Sequence, residues 1–311
     1  MADAVLDRLS ACNIFDLSGV VAVVTGGGTG IGLMITTTLV ANGARVYIVG
    51  PQNTHDNLQQ IAKTYNDASE KSGRKGEIVP LVGDVREKDV ATRLATAISQ
   101  REPNGITVLF NNAGVGRGTF KPIVNKTATD AAEFVKTYFD PITQEDFTDS
   151  LSVNAVGPYW FTFAFLPLLE KWKNSEGGKK FVPQVIMTSS MNGWTKDPAT
   201  SGNSFPYMYS KSAIAHATST LAHELLPLGI RVNGIAPGWF ITEMTAPGTK
   251  NDLGQSSTDR EPGFQIPTMG QAGGSNKDMG CLALMLVANW FINGETVLID
   301  GGTLLKHPSS Y

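Results

Sequence analysis

Of the seven tyrosines in the chain, only Tyr207 has a lysine four residues on, Lys211. On a helix that spacing puts both side chains on one face. A phenol titrates near ~10 and is a poor proton donor and acceptor at neutral pH. A neighbouring ammonium favours the phenolate and brings that value down. The pair can then exchange a proton with a carbonyl/alcohol couple; its bland reading is a surface contact on a helix. Ser189 and Ser190 close the apolar run Val185-Ile186-Met187-Thr188. A hydroxyl at the C-terminal end of such a strand can hold a substrate oxygen, because ligands of open α/β sheets bind there. Otherwise it satisfies a turn backbone.

A second feature lies near the start. Val20-Val21-Ala22-Val23-Val24 runs into Thr25-Gly26-Gly27-Gly28-Thr29-Gly30-Ile31-Gly32, after which Ile31, Met34, Ile35 and Leu39 fall at helical spacing. A strand, a glycine-rich turn and a helix N-terminus together can cradle a dinucleotide. The backbone must approach the pyrophosphate closely, and the helix offers free N–H groups and its positive dipole end. The spacing is Gly26-x-x-x-Gly30-x-Gly32, not the common G-x-G-x-x-G. No Gly-Lys-Ser/Thr of a Walker loop follows.

These groups need elements to position them. β-Branched runs recur at Arg45-Val46-Tyr47-Ile48-Val49, Ile78-Val79-Pro80-Leu81-Val82, Ile106-Thr107-Val108-Leu109-Phe110, Val185–Ser190, Arg231-Val232-Asn233-Gly234-Ile235 and Thr296-Val297-Leu298-Ile299. Helical patterns separate them near 54–72, 87–100, 144–172, 207–227 and 277–289. This alternation predicts an α/β fold, a single doubly wound Rossmann domain with a central parallel sheet. Continuous apolar strands suit a sheet covered on both faces. Residues 1–18 read as an N-terminal arm and 19–311 as the domain. Within it, 115–140 reads as an insertion and 239–268, rich in Gly, Pro, Ser and Thr, as a substrate-loop lid.

Composition narrows the function classes. Hydrophobic residues make up 41% and charged residues 17% of the 311, enough to build a core. The net charge of −3, without a basic block, argues against a nucleic-acid partner. Two cysteines, Cys12 and Cys281, fit a reducing, cytoplasmic setting. The most apolar stretches, 159–169 and 281–292, fall short of the ~20 residues a membrane-spanning helix needs. Asp3, Asp7 and Arg8 stand where a signal peptide would be apolar. The four histidines are scattered and no Cys-x-x-Cys occurs, so no metal site is expected.

Taken in order, these residues resemble the classical short-chain dehydrogenase/reductase family over about 19–303. Thr25-Gly26-x-x-x-Gly30-Ile31-Gly32 resembles its cofactor turn, with Gly28 and Thr29 inside it. Asp84-Val85 is similar to the pair that meets the adenine ring. Asn111-Asn112-Ala113-Gly114 is similar to the motif that steadies the sheet and lines the cofactor. Pro237-Gly238 and Thr242 resemble the segment that holds the nicotinamide amide, and Ile299-Asp300-Gly301-Gly302 the C-terminal strand signature. The resemblance implies a catalytic set of Asn154, Ser190, Tyr207 and Lys211. In it Tyr207 is the general acid/base, Lys211 binds ribose hydroxyls and depresses the Tyr207 pKa, Ser190 polarises the carbonyl, and Asn154 holds a water that relays protons toward Lys211. It also implies a homodimer or homotetramer.

The implied activity is reversible hydride transfer between a nicotinamide cofactor and a small-molecule ketone or secondary alcohol. Rival readings are imine or enoyl reduction on the same scaffold and a non-catalytic cofactor-binding protein. Two departures from the family, the 115–140 insertion and a lengthened stretch between Ser190 and Tyr207, leave the substrate open. Pro237-Gly238-Trp239-Phe240-Ile241-Thr242 looks most like 3-oxoacyl reductases of the rhamnolipid-synthesis type. NAD-selective dinucleotide folds end the second strand in an acid that accepts from the ribose 2′-hydroxyl. Here Gly50 stands there, followed by Pro51-Gln52-Asn53-Thr54. With no carboxylate to repel a 2′-phosphate, NADP(H) is expected rather than NAD(H). No arginine follows the strand, so the positive charge has to come from elsewhere.

Overall fold

In the computed structural model, residues 1–128, 130–259, 261–267 and 273–311 are described. The last residue of the expected lid, Thr268, and one inside it, Arg260, lie outside them. Seven strands form one parallel sheet in the order β3-β2-β1-β4-β5-β6-β7. They are β1 (Val21–Thr25), β2 (Arg45–Gly50), β3 (Glu77–Val82), β4 (Val108–Asn111), β5 (Gln184–Thr188), β6 (Arg231–Pro237) and β7 (Thr296–Ile299). This is the doubly wound Rossmann arrangement the alternation predicts. The order reverses between β1 and β4, which opens a crevice at the strands' C-terminal ends.

The helices are α1 (Ala2–Leu9), α2 (Ala11–Ile14), α3 (Gly30–Ala41), α4 (His55–Lys71), α5 (Lys88–Arg101), α6 (Ala131–Tyr138), α7 (Gln144–Leu151), α8 (Gly157–Lys173), α9 (Glu176–Lys180), α10 (Phe205–Glu224) and α11 (Asn276–Ala288). Strand periodicity divides the core between the two sheet faces. Ala22, Val24, Val46 and Ile48 pack with α3, α4 and α11, whereas Val23, Tyr47, Leu109 and Val185 pack with α5, α8 and α10. Every residue of β1, β4, β5 and β6 is buried, as sheets covered on both sides require.

Two expectations change. The helix expected over 144–172 is interrupted. Between α7 and α8 the chain widens into a π-helical turn, Ser152–Val156. Pro158 in the first turn of α8 offers no N–H, and the Asn154 side chain inside the turn bonds away from the helix, to Val115. The fourth strand starts two residues later than expected, because the Ile106 N–H turns to the Leu168 carbonyl of α8. The 115–140 insertion is not wholly irregular. It carries α6, whose Tyr138 meets Phe120 edge-on at 4.8 Å, and Phe120 stacks on Phe205 of α10 at 5.2 Å. The arm of residues 1–18 holds α1 and α2, which bury no residue, and ends on Leu17, which is fully buried.

Candidate active site

The glycine turn is shaped by close approach. Gly26 and Gly30 adopt φ of +67° and +50°, in the left-handed region. A Cβ on Gly32 would come within 2.1 Å of the Gly26 carbonyl oxygen, so α3 can start hard against the turn only with glycine there. Thr25 ties the turn to the end of β4. Its hydroxyl accepts from the N–H groups of Asn112 and Ala113 at 2.9 and 3.0 Å, and Asn112 Nδ2 donates back to the Thr25 carbonyl at 3.0 Å. Thr29 and Ile31 line the resulting cleft, and Gly28 backs onto Leu58 of α4.

The proton-transfer candidates lie on the opposite wall. Ser204 caps α10 by accepting from the Tyr207 N–H at 3.1 Å, and Pro206 fits the first turn. The cap holds Tyr207 at the helix start, facing the end of β5. Ser190 stands close enough to the Tyr207 hydroxyl to favour its ionised form; its Oγ accepts from the Asn192 N–H at 3.1 Å and donates to the Pro237 carbonyl at 3.3 Å. Lys211, one turn further, is buried. It donates to the Thr188 carbonyl at 2.9 Å, and its Nζ lies 5.7 Å from the centre of the Tyr207 ring.

Burial, not the ammonium, governs the proton affinities here. Desolvation raises the Tyr207 pKa, with the Ser190 hydroxyl working against it. Burial outweighs the depression expected from Lys211, whose ammonium donates to Thr188 and lies over the Tyr207 ring. Burial lowers Lys211 itself to about 8. Asn154 is committed to the backbone. Its Oδ1 accepts from the Val115 N–H and its Nδ2 donates to the Val115 carbonyl, both at 2.8 Å, while Nδ2 also reaches Ser210 Oγ at 2.9 Å. A Cβ on Gly114 would stand 3.3 Å from Asn154 Oδ1 and 3.4 Å from Lys211 Nζ, so glycine keeps that gap open.

Both walls face one cleft of about 860 Å³. Thr25, at 1% exposure, lies beneath it as the tie between β1 and β4. Pro237, Gly238 and Thr242 close the far end. A Cβ on Gly238 would lie 2.5 Å from Asp300 Cα, and one on Gly30 3.1 Å from Thr242 Cβ. Asp84 is held by Arg86 at 2.6 Å, which keeps its carboxyl below the usual carboxylate range; Val85 beside it is buried against Gly157. Gly50 ends β2 as expected, but the space beside it is taken: a Cβ there would lie 2.7 Å from Thr54 Oγ1 and 3.3 Å from Leu58.

Sequence reasoning missed the residues that hold the 192–206 stretch. Thr200 donates to Asn192 Oδ1 at 2.9 Å, and Asp197 meets His307 Nδ1 at 2.8 Å. The C-terminal Pro308 and Ser310 bond the backbone of Lys196 and Trp194 at 2.7 and 2.9 Å. The last three pairings join segments more than a hundred residues apart and leave no local signal. Among the described residues, no group of three or more His, Cys, Asp or Glu side chains is placed to hold a metal ion, and no helix is long and apolar enough to cross a membrane.

Fold and cleft define a nucleotide-binding α/β protein. A model of the short chain dehydrogenase family matches residues 20–252. The chain is 34% identical over 312 aligned positions to the short-chain dehydrogenase/reductase PhomF of Diaporthe leptostromiformis, covering 100% of each. Its structure is similar to the Pseudomonas aeruginosa RhlG/NADP active-site complex (TM-score 0.67, 25% identity, 93% of this chain and 98% of that one). It is also similar to a short chain dehydrogenase from Burkholderia cenocepacia J2315 in complex with NADP (TM-score 0.67, 26% identity, 93% and 99%). The chain belongs to the classical short-chain dehydrogenase/reductase family of oxidoreductases, whose fold binds a nicotinamide cofactor.

Proposed function

We propose that this protein catalyses reversible, NADP(H)-dependent interconversion of a ketone and a secondary alcohol. The observation that carries this is the joining of Ser190, Tyr207 and Lys211 on one wall of the cleft whose other wall is the glycine turn. Bound between those walls, the nicotinamide supplies or takes up the hydride. The residues from Gly26 to Ile31 hold its phosphates on a helix N-terminus, over the tie that Thr25 makes. Asp84 and Val85 border the adenine; Asn112, Ala113 and Gly114 line the middle; Pro237, Gly238 and Thr242 hold the carboxamide end.

The substrate oxygen sits between the hydroxyls of Ser190 and Tyr207. Ser190 turns its one proton from the Pro237 carbonyl to it, and Tyr207 Oη passes its proton to the oxygen that becomes the alcohol. A raised pKa suits this direction, because the phenol stays protonated at neutral pH until the oxygen takes charge. Lys211 has three donors, one on the Thr188 carbonyl, and the other two serve ribose hydroxyls. Asn154, fixed through Val115, keeps Gly114 clear of Lys211 and lines the route of a proton-relaying water.

NADP(H) is favoured over NAD(H) because Gly50 brings no carboxylate to the end of β2, and the names of two solved relatives include NADP. Imine or enoyl reduction would use the same wall, so the bond reduced is part of the proposal. The face formed by Val156, Tyr159 and Phe163 at the start of α8 is exposed and apolar, which fits a homodimer or homotetramer. The free thiols of Cys12 and Cys281 fit the cytoplasm. A panel of ketones and secondary alcohols, followed by cofactor absorbance for wild type and Tyr207→Phe, tests the activity. Turnover by wild type alone is expected; equal turnover by both would remove Tyr207 from the chemistry.

A further inference from the structure

The preference for a 2′-phosphate poses a charge problem that the second strand does not solve. Gly50, Pro51, Gln52, Asn53 and Thr54 carry no cation, and neither does the glycine turn from Gly26 to Gly32. The end of β2 is where a dinucleotide fold meets the adenosine ribose. The fold brings a lysine to this place from the substrate loop, about two hundred residues on in sequence. Lys250 Nζ donates to Asn57 Oδ1 at 2.7 Å, and Asn57 Nδ2 reaches the Gly28 carbonyl at 3.4 Å. One chain of contacts thus links the ammonium to the first turn of α4 and to the glycine turn.

The placement of Lys250 is anchored by the turn that follows it. Asn251 closes its own turn, with its Oδ1 accepting from the N–H groups of Leu253 and Gln255, both at 3.0 Å. Tyr65 of α4 donates to the Leu253 carbonyl at 2.9 Å. Gly254, at φ +74°, lies against α3 and α4 so closely that a Cβ would come within 2.6 Å of Ile61 and 2.7 Å of Leu33. The turn therefore sits on the two helices that flank the glycine turn and the end of β2. Lys250 is exposed, and its bond is to a neutral amide, so that bond leaves the charge uncompensated. An ammonium has three donors, of which Asn57 takes one.

We infer that Lys250, carried on the substrate loop, is the cation that recognises the cofactor's 2′-phosphate. The residue determines cofactor choice without touching the reacting atoms. It rests on the NADP(H) preference proposed above. The same loop lines the cleft at Thr242, Glu243 and Pro247, so a phosphate clasped by Lys250 also fastens one wall of the substrate site.

The test is calorimetric binding of NADP+, NAD+, 2′,5′-ADP and 5′-AMP to cofactor-free wild type, Lys250→Met and Lys250→Arg. Wild type is expected to bind NADP+ and 2′,5′-ADP more tightly than NAD+ and 5′-AMP. Lys250→Met should lose about 10- to 100-fold for the two ligands that carry a 2′-phosphate, as hydrogen bonds to charged groups imply. It should stay within about twofold for the other two, and Lys250→Arg should restore most of the loss. Equal losses for all four ligands would make Lys250 a prop for the loop and overturn the inference. So would an unchanged ratio in Lys250→Met while wild type prefers NADP+, which leaves the NADP(H) reading standing. Wild type preferring NAD+ would overturn that reading first, and the role of Lys250 with it.

Discussion

Two sides of the cleft are built differently. On the side made by the glycine turn, β5 and α10, polar atoms are bonded across long stretches of chain. Lys211 bonds to Thr188, Asn154 to Val115, Ser190 to Pro237 and Thr25 to Asn112. All but Val115 and Asn112 are buried residues. On the wall of the substrate loop, most bonds are local. Thr245 bonds to Thr242, Gly248 to Glu243 and Asn251 to Gln255, and the side chains around them are largely exposed. Long-range buried bonds hold a geometry fixed; short local ones allow a segment to open with little else disturbed. In the proposed function the chemistry stands on the rigid wall and the choice of substrate on the pliable one.

The largest effect should come from the rigid wall. Tyr207→Phe is expected to lower kcat by about 10²- to 10⁴-fold, while the dissociation constant for cofactor changes little. Steady-state rates beside calorimetry check both halves. A variant within a factor of a few of wild type, with chemistry rate-limiting, would shift the burden of catalysis to another residue.

Lys211 gives the next effect, through pH. Its pKa of about 8 lies below the ordinary lysine value. As pH rises past about 8 the buried ammonium loses its proton, and cofactor affinity should weaken. Stability should move the other way. From there up to the ordinary lysine pKa the unfolded chain binds the extra proton, so stability contributed by this group rises with pH. Lys211→Met should flatten both profiles. A cofactor affinity that does not change across this range in wild type would detach Lys211 from the ribose.

The smallest effect belongs to the pliable wall. Amide exchange in 239–259 and 261–267 should slow when cofactor and substrate are bound and change little in β5. Equal protection with and without ligand would make the two walls alike and remove the lid from the account.

The rigid wall was also the legible one. Five valines and alanines before Thr25, the glycines after it, and the spacing of Tyr207 and Lys211 are local patterns, and local patterns place strands, turns and helix faces. The doubly wound parallel sheet follows from them, whereas its strand order is seen only in the structure. What escaped depends on contacts between distant segments. Nothing near Asn154 announces that it grips Val115, so the π-helical turn there read as ordinary helix. The pK direction of Tyr207 escaped because burial depends on the whole cleft, whereas the Lys211 spacing is visible in five residues. The C-terminal strap over 194–197 and the seat of Lys250 on Asn57 lie equally beyond any local window.

The central claim is that hydride passes to a carbonyl carbon, with Tyr207 supplying the proton. Its most direct test is mass spectrometry and NMR of the product formed from a turned-over ketone and reduced NADP deuterated at the transferring position. One deuterium on the carbinol carbon of the product, formed about 10²- to 10⁴-fold more slowly by Tyr207→Phe, is the predicted result. Deuterium at a carbon beside the carbonyl, at an amine-bearing carbon of an imine substrate only, or nowhere in any product would contradict it.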